Sequence, residues 1–486
     1  MRGGTVWNGT YRGDLRPFSH WVNRSIMVGV GPHLRIRKST IERASSADMM
    51  ELASDIGPAP RQVGALLRFG PGTALGVDDV RRSIADRIGG IRRLRQQLVP
   101  TPWGCGRPVW VDDQDFDIAH HVETVVSRSP GDDTELLGTA AELVTRPLLA
   151  HRPLWSATLV EGLADGGCAL VVIFHHVLAD GMGGLAVLAS LVDGGMSTGT
   201  TEPPTPPPCR SALAYDAASS RLHALARSYG LPEVVRAALA ELRSGSAPRA
   251  ARCSINRPVG ARRRFATASA DLNQFRAVAH AHGASVNDVM LVAVGGALDK
   301  LLAHRGEHVD PFIISVPVSG RSQASAGALG NQVGVMPVAV PAIGQATTRI
   351  ESVAAATRAH KARVRGASAD LLIPAFRAIG ALHMLRWGVN HQHLVHSFAT
   401  NLRGPDSPVS FLGATVKTIV PLNVLAGNVA VAFAVMSYSG SLTLTLTVDP
   451  DVIPDLDVLV DGLRYELDVI GRGLDDRDPF ISRNDA

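Results

Sequence analysis

Seven apolar residues, Cys168 to Phe174, run without a charge into the pair His175-His176, and the chain then passes through Val177-Leu178-Ala179-Asp180-Gly181 to the small-residue turn Met182-Gly183-Gly184 and a second apolar stretch. This order reads as strand, turn and helix. Ser156 to Val160 has strand character as well, and the glycine-bounded segment Gly162 to Gly167 between the two joins them as paired strands. Polar, titratable groups therefore collect where an apolar strand ends, which is where a fold can present chemistry on a rigid support.

The rest of the chain must be built around that unit. At 486 residues it exceeds one ordinary core and predicts two lobes. With 45% hydrophobic and 19% charged residues it has ample apolar material, and a net charge of +4 is too small to announce nucleic acid. Cys105, Cys168, Cys209 and Cys253 are scattered, without the spacing of a zinc site or a disulfide scaffold, and fit a reducing cytoplasm. Two stretches lack charge for longer than the roughly 20 residues of a membrane span, Ser322 to Thr348 and Thr418 to Gly440, but the prolines and amide side chains within them predict buried strands joined by turns. The first forty residues are basic and have no apolar signal core, so residues 1–44 are expected to be a disordered extension. It is either a membrane-contacting tail or the product of a start codon placed too far upstream.

Beyond Ser45 the pattern becomes globular. Gln62 to Phe69 predicts a strand closed by Gly70-Pro71-Gly72. Ile84, Ile88, Ile91, Leu94 and Leu98 follow Val80 at helical spacing, and Leu136 to Val144 repeats the pattern. Thr198 to Cys209 is too proline-rich for helix or central strand and marks the lobe boundary. The expected organisation is thus an N-terminal lobe over 45–197, a linker with crossover helices over 198–255, and a C-terminal lobe over 256–486. Ala212 to Leu242 should be helical with a break near Gly230. Ser285 and Asp288 predict a capping-box start to a helix, Leu442 to Val448 alternates as a half-buried strand should, and Leu456 to Ile470 carries a terminal amphipathic helix.

A histidine at the strand end suits proton transfer. Its unperturbed pKa near ~6.5 lets a neutral imidazole take a proton from an alcohol attacking a carbonyl and return it to the leaving group. Neighbours on a strand point to opposite faces, so His175 and His176 should not both reach one reacting atom. No metal is expected, because no third or fourth ligand lies at a zinc spacing. Asp180 reads as an orienting carboxylate and Gly181 as a residue that permits a tight turn. His120-His121, without an Asp-Gly partner, reads as structural.

His175-His176-Val177-Leu178-Ala179-Asp180-Gly181 resembles the HHxxxDG motif of the CoA-dependent acyltransferases, a superfamily that includes chloramphenicol acetyltransferases and peptide-synthetase condensation domains. Pro153-Leu154-Trp155, Asn287-Asp288, Val316-Pro317-Val318-Ser319 with Arg321, Gly330-Asn331, and Asn401 with Gly404-Pro405 narrow the likeness. In order and separation they are similar to the companion motifs of the bacterial wax ester synthase/diacylglycerol acyltransferase family, as are Pro60 to Leu67 and Asp115-Phe116-Asp117. The resemblance implies an α/β fold of two chloramphenicol-acetyltransferase-like lobes, each a mixed sheet with packed helices, and an active-site tunnel between them. It implies His176 as general base, with His175, Asp180 and Gly181 shaping the site.

The implied activity is transfer of a long-chain acyl group from acyl-CoA to diacylglycerol, giving triacylglycerol, or to a fatty alcohol, giving a wax ester. Acyl-CoA would be a co-substrate, and no resident cofactor is expected. Rival expectations are acyl transfer to a polyketide or peptide alcohol and a non-catalytic lipid-binding paralogue. Poorly soluble substrates favour peripheral association of a cytoplasmic protein with the inner membrane or lipid bodies. Asn287 is a candidate oxyanion donor or simply a capping residue. Arg262-Arg263-Arg264 either clamps a CoA phosphate or is a solvated surface run. Where the family shows Asn-Val-Pro-Gly-Pro this chain has Asn401-Leu402-Arg403-Gly404-Pro405, so Arg403 either alters the acyl pocket or points to solvent.

Overall fold

The computed structural model describes residues 41–55, 57–178, 181–195, 204–226, 249–319, 333–364 and 385–472. One six-stranded sheet has the order β12 (Ser410–Phe411), β13 (Ala414–Leu422), β2 (Gln62–Phe69), β7 (Ala169–His175), β6 (Trp155–Glu161) and β5 (Val122–Val126). A second six-stranded sheet runs β10 (Val333–Val340), β9 (Phe312–Ser319), β11 (Ser397–Arg403), β14 (Val431–Tyr438), β15 (Ser441–Val448) and β8 (Arg264–Asp271). Both mix parallel and antiparallel pairs, for β5 runs parallel to β6 and β11 parallel to β14. A small sheet of β1 (Glu42–Arg43), β4 (Val109–Asp112) and β3 (Gln96–Val99) flanks the first.

Strand β7 shows why its sequence is apolar at every position. Leu170, Val172 and Phe174 pack with Val80, Ile84 and Ile88 of α2 (Val77–Ile88) and Val187 and Leu188 of α4 (Gly181–Leu191). Ala169, Val171 and Ile173 turn the other way, against Leu136, Ala140 and Val144 of α3 (Asp133–Thr145). A central strand covered on both faces loses the polar alternation of a half-solvated one. Each fully buried Val, Leu or Phe contributes about 1.5–3 kcal/mol, so this layering holds the strand end firmly where the histidines begin.

The second sheet is covered by α6 (Leu272–Ala281), α7 (Val286–His304), α8 (Ala346–Val364) and α10 (Leu456–Gly471), and the short α9 (Leu385–Asn390) precedes β11. Helix α7 begins with the expected box: the Asp288 backbone N–H donates to Ser285 Oγ, and Asp288 Oδ2 accepts from the Ser285 backbone N–H at 2.8 Å. The expected terminal helix is α10, and the expected strand over Gln62 to Phe69 is β2. Among the described residues no helix is long and apolar enough to cross a membrane. Thr418 to Gly440 supplies parts of β13 and β14, as its buried-strand reading anticipates.

Several expectations are corrected. The helix from Val80 ends at Ile88, where Gly89 and Gly90 break it; Leu94 lies in a 3-10 turn and Leu98 in β3. Strand β15 is buried on both faces rather than half-buried, with Thr443, Thr445 and Thr447 all inside. Its leucines face the helices, while Phe265, paired with Thr447, packs among Leu136, Val160 and Leu422 of the first sheet's layer. The threonine face therefore abuts the other lobe. The two halves also interlock, because β12 and β13 come from the C-terminal half yet complete the first sheet through β2. Ordered structure begins before Ser45: β1 pairs with β4, and Arg43 reaches the Leu213 carbonyl at 2.9 Å on α5 (Arg210–Ala226). Residues 1–40, the first half of Thr198 to Cys209 (198–203), the predicted helix beyond Ala226 and the start of Ser322 to Thr348 lie outside the described residues.

Candidate active site

The site is built from the C-terminal end of β7 and a short helix that the sequence reading did not single out. Helix α1 (Ser46–Ser54) starts from a Ser45 cap reciprocated by Asp48, and its C-cap is Asp55. Glu51 and Asp55 are one helical turn apart and so reach the same side. Each takes one member of the histidine pair. Asp55 Oδ2 is 3.0 Å from His175 Nε2, and Glu51 Oε2 is 3.5 Å from His176 Nδ1.

His175 is held at both ring nitrogens. The Val177 backbone N–H donates to its Nδ1 at 3.1 Å, which places the remaining proton on Nε2, facing Asp55. Burial pushes the Asp55 carboxyl up, but the His175 hydrogen bond, the Arg61 backbone N–H and the Arg61 guanidinium outweigh it and hold the group below the ordinary carboxylate range. The His175 backbone is fixed too, its N–H donating to the Leu154 carbonyl at 3.0 Å. That contact explains Pro153-Leu154-Trp155: the turn into β6 docks against the end of β7, and Trp155 Nε1 donates to the Leu94 carbonyl at 2.7 Å.

His176 lies just past the strand, in the turn, so its side chain is not committed to either face of the sheet. Its backbone N–H donates to the Arg61 carbonyl at 2.8 Å. The guanidinium of the same Arg61 donates through Nε at 3.1 Å and Nη2 at 3.0 Å to Glu51 Oε2, the oxygen nearest the His176 ring. The His176 side chain is 19% exposed and Glu51 only 10%, a water-poor setting for the pair. A carboxylate behind Nδ1 of an imidazole steadies that ring and favours the tautomer whose Nε2 carries the lone pair.

The remaining candidates divide. Gly181 is the first residue of α4, and Asp180 lies outside the described residues, as do Arg321, Gly330 and Asn331. Asn287 stands half-buried in the first turn of α7, next to an Asp288 already engaged by Ser285 and by the Thr357 hydroxyl at 2.9 Å. His121 is structural: its ring stacks between Phe116 and Trp155, Nδ1 meets the Trp155 carbonyl at 2.9 Å, and burial depresses its pKa. The arginine run is partnered in place, Arg262 and Arg264 with Asp451 and Asp457, and Arg263 with the Gly260 carbonyl. Arg403 is 65% exposed and bonds Asp406 at 3.0 Å, so the charge replacing the family's proline points outward. Gly404 beside it is required by space, since a Cβ there would lie 2.5 Å from the Ser437 carbonyl oxygen. Among the described residues no cluster of side chains could hold a metal ion.

Comparison with known proteins places this geometry. The wax ester synthase/diacylglycerol acyltransferase catalytic domain matches residues 45–290, and the C-terminal domain of the same family matches residues 329–471. The Mycobacterium tuberculosis protein named "probable diacyglycerol O-acyltransferase tgs1" is 29% identical, covering 88% of this chain and 92% of its own length. A second protein from that organism, of the same name but designated tgs2, is also 29% identical, over 86% of this chain and 96% of its own. Among solved structures, the wax ester synthase/diacylglycerol acyltransferase from Marinobacter aquaeolei VT8 superposes with a TM-score of 0.64 at 24% identity, covering 89% of this chain and 99% of that one. The first condensation domain of the CDA synthetase shares the fold with a TM-score of 0.60 at 17% identity, covering 90% and 98%. Two interlocked mixed sheets, the histidine pair at the end of β7 and both matched domains together assign this chain to the wax ester synthase/diacylglycerol acyltransferase family.

Proposed function

We propose that this protein transfers a long-chain acyl group from acyl-CoA to the free hydroxyl of diacylglycerol, forming triacylglycerol, with His176 as the base. The observation that carries this reading is the unequal state of the two histidines. His175 is tied at both ring nitrogens to Asp55 and to the Val177 N–H, while His176 meets the Glu51 carboxylate at Nδ1, a contact that favours the tautomer with its basic lone pair on Nε2. The lone pair of His175 is taken up by the Val177 N–H, so that ring could accept a substrate proton only by giving up this bond.

In the proposed reaction His176 Nε2 takes the proton of the acceptor hydroxyl as its oxygen bonds to the thioester carbonyl carbon. The tetrahedral intermediate carries its charge on the former carbonyl oxygen, and its collapse breaks the carbon–sulfur bond. The imidazolium then returns the proton to the thiolate, so the products are an ester and free CoA thiol. Asp180 would orient the loop after the histidines, Gly181 would admit the turn into α4, and Asn287 would donate to the oxyanion. A fatty alcohol offers the same hydroxyl chemistry, so wax ester formation is the companion activity.

The test is His176→Ala. Palmitoyl-CoA binding measured by calorimetry should stay within a few-fold of the parent protein, while thiol release in the presence of diacylglycerol should fall by about 10²–10⁴. Turnover retained in the variant would remove His176 from the mechanism.

A further inference from the structure

We infer that Glu51, buttressed by Arg61, is the positioning residue for His176, a role that rests on the base assigned above. Three observations converge on it. Glu51 is 7% exposed, and a carboxylate that buried requires a partner for each demand of its charge. Its Oε2 is shared between the Arg61 guanidinium and His176 Nδ1. Arg61 in turn fixes the backbone of His176 through its carbonyl, so one residue sets both the position of the imidazole and the direction of the carboxylate behind it.

A structural pair joining α1 to β2 would need only Arg61 and Glu51. The placement of the histidine ring against the same oxygen has a further consequence, because an anion at Nδ1 selects the Nδ1–H tautomer and stabilises the imidazolium formed when Nε2 takes a proton. The charged groups facing the ring from α1 and β2 are Glu51 and Arg61; Asp55 on α1 is occupied by His175. Glu51 thus acts through His176 and does not itself touch substrate.

The experiment compares Glu51→Gln and Glu51→Asp with the full-length parent. Glu51→Gln should lower kcat for palmitoyl-CoA and diacylglycerol about 10- to 100-fold with KM for palmitoyl-CoA within about twofold, and should move the acid limb of the kcat/KM profile to lower pH. Glu51→Asp, which keeps the charge, should recover part of kcat and keep the limb nearer its original pH. Ring-nitrogen NMR of selectively labelled parent protein, read at His176 by difference from His176→Ala, should show the Nδ1–H tautomer. That readout needs no turnover, so it separates failure of this inference from failure of the proposed function, and it serves if Glu51→Gln does not fold. A kcat within twofold of the parent, an unmoved acid limb, or an Nε2–H tautomer in the parent would each overturn the inference.

Discussion

Gln62 offers a sharp test of how the fold supports the site. It is 1% exposed, lies opposite His175 in the β2–β7 register, and clamps the end of α3 with its side-chain amide. Nε2 donates to the Val144 carbonyl at 2.6 Å and to the Arg146 carbonyl at 3.0 Å, while Oε1 accepts from the Leu148 N–H at 3.1 Å. In Gln62→Met the volume is nearly kept and all three bonds go. The Val144 carbonyl is buried and would be stranded, at about 1–3 kcal/mol, whereas the two half-buried groups recover water and cost about 0.5–1 kcal/mol each. The sum is about 2–5 kcal/mol. It should appear as a lower denaturation midpoint and as faster hydrogen exchange in the peptide spanning residues 144–150. A loss below about 0.5 kcal/mol, the level of an ordinary surface substitution, with unchanged exchange would refute the clamp.

Two further outcomes follow from local geometry. Gly404→Ala places a methyl 2.5 Å from the Ser437 carbonyl oxygen and 3.1 Å from Met436 Sδ, so it should cost about 1–3 kcal/mol and lower the thermal midpoint; an unchanged midpoint would show that β11 and β14 can separate freely. The cysteines should alkylate in a fixed order. Cys209 is exposed, and the Ser211 hydroxyl and Ala212 N–H lower its pKa, whereas burial pushes Cys253 up to about 11. At pH 7.5 iodoacetamide should label Cys209 well before Cys253 by mass spectrometry, and equal rates would contradict the burial described.

Local pattern carried much of this structure. The apolar run ending in His175, the strand over Gln62 to Phe69 and the capped start of α7 are legible because each is written in neighbouring residues. Long-range pairing is not. Nothing near Ala414 to Leu422 says that this strand crosses to pair with β2, more than three hundred residues upstream. The threonines of β15 look like a solvent face because alternation records polarity and not what lies opposite; here the other lobe covers them. Glu51 and Asp55 are hidden in the sequence for a related reason. Carboxylates on a short amphipathic helix read as surface, and their partners lie some 120 residues away. The i, i+4 spacing of the two acids, set against a pair of adjacent histidines, is the signal that could have pointed to them.

Whether an acyl group passes from CoA to a lipid alcohol through His176, as proposed, can be decided in one reaction. The most direct measurement is thiol release from palmitoyl-CoA by the purified full-length protein with diacylglycerol, with hexadecanol and with no acceptor, alongside His176→Ala. Release should require a lipid alcohol, be fastest with diacylglycerol and be lost in the variant. Absence of release with either lipid, or release that survives in His176→Ala, would contradict the proposal.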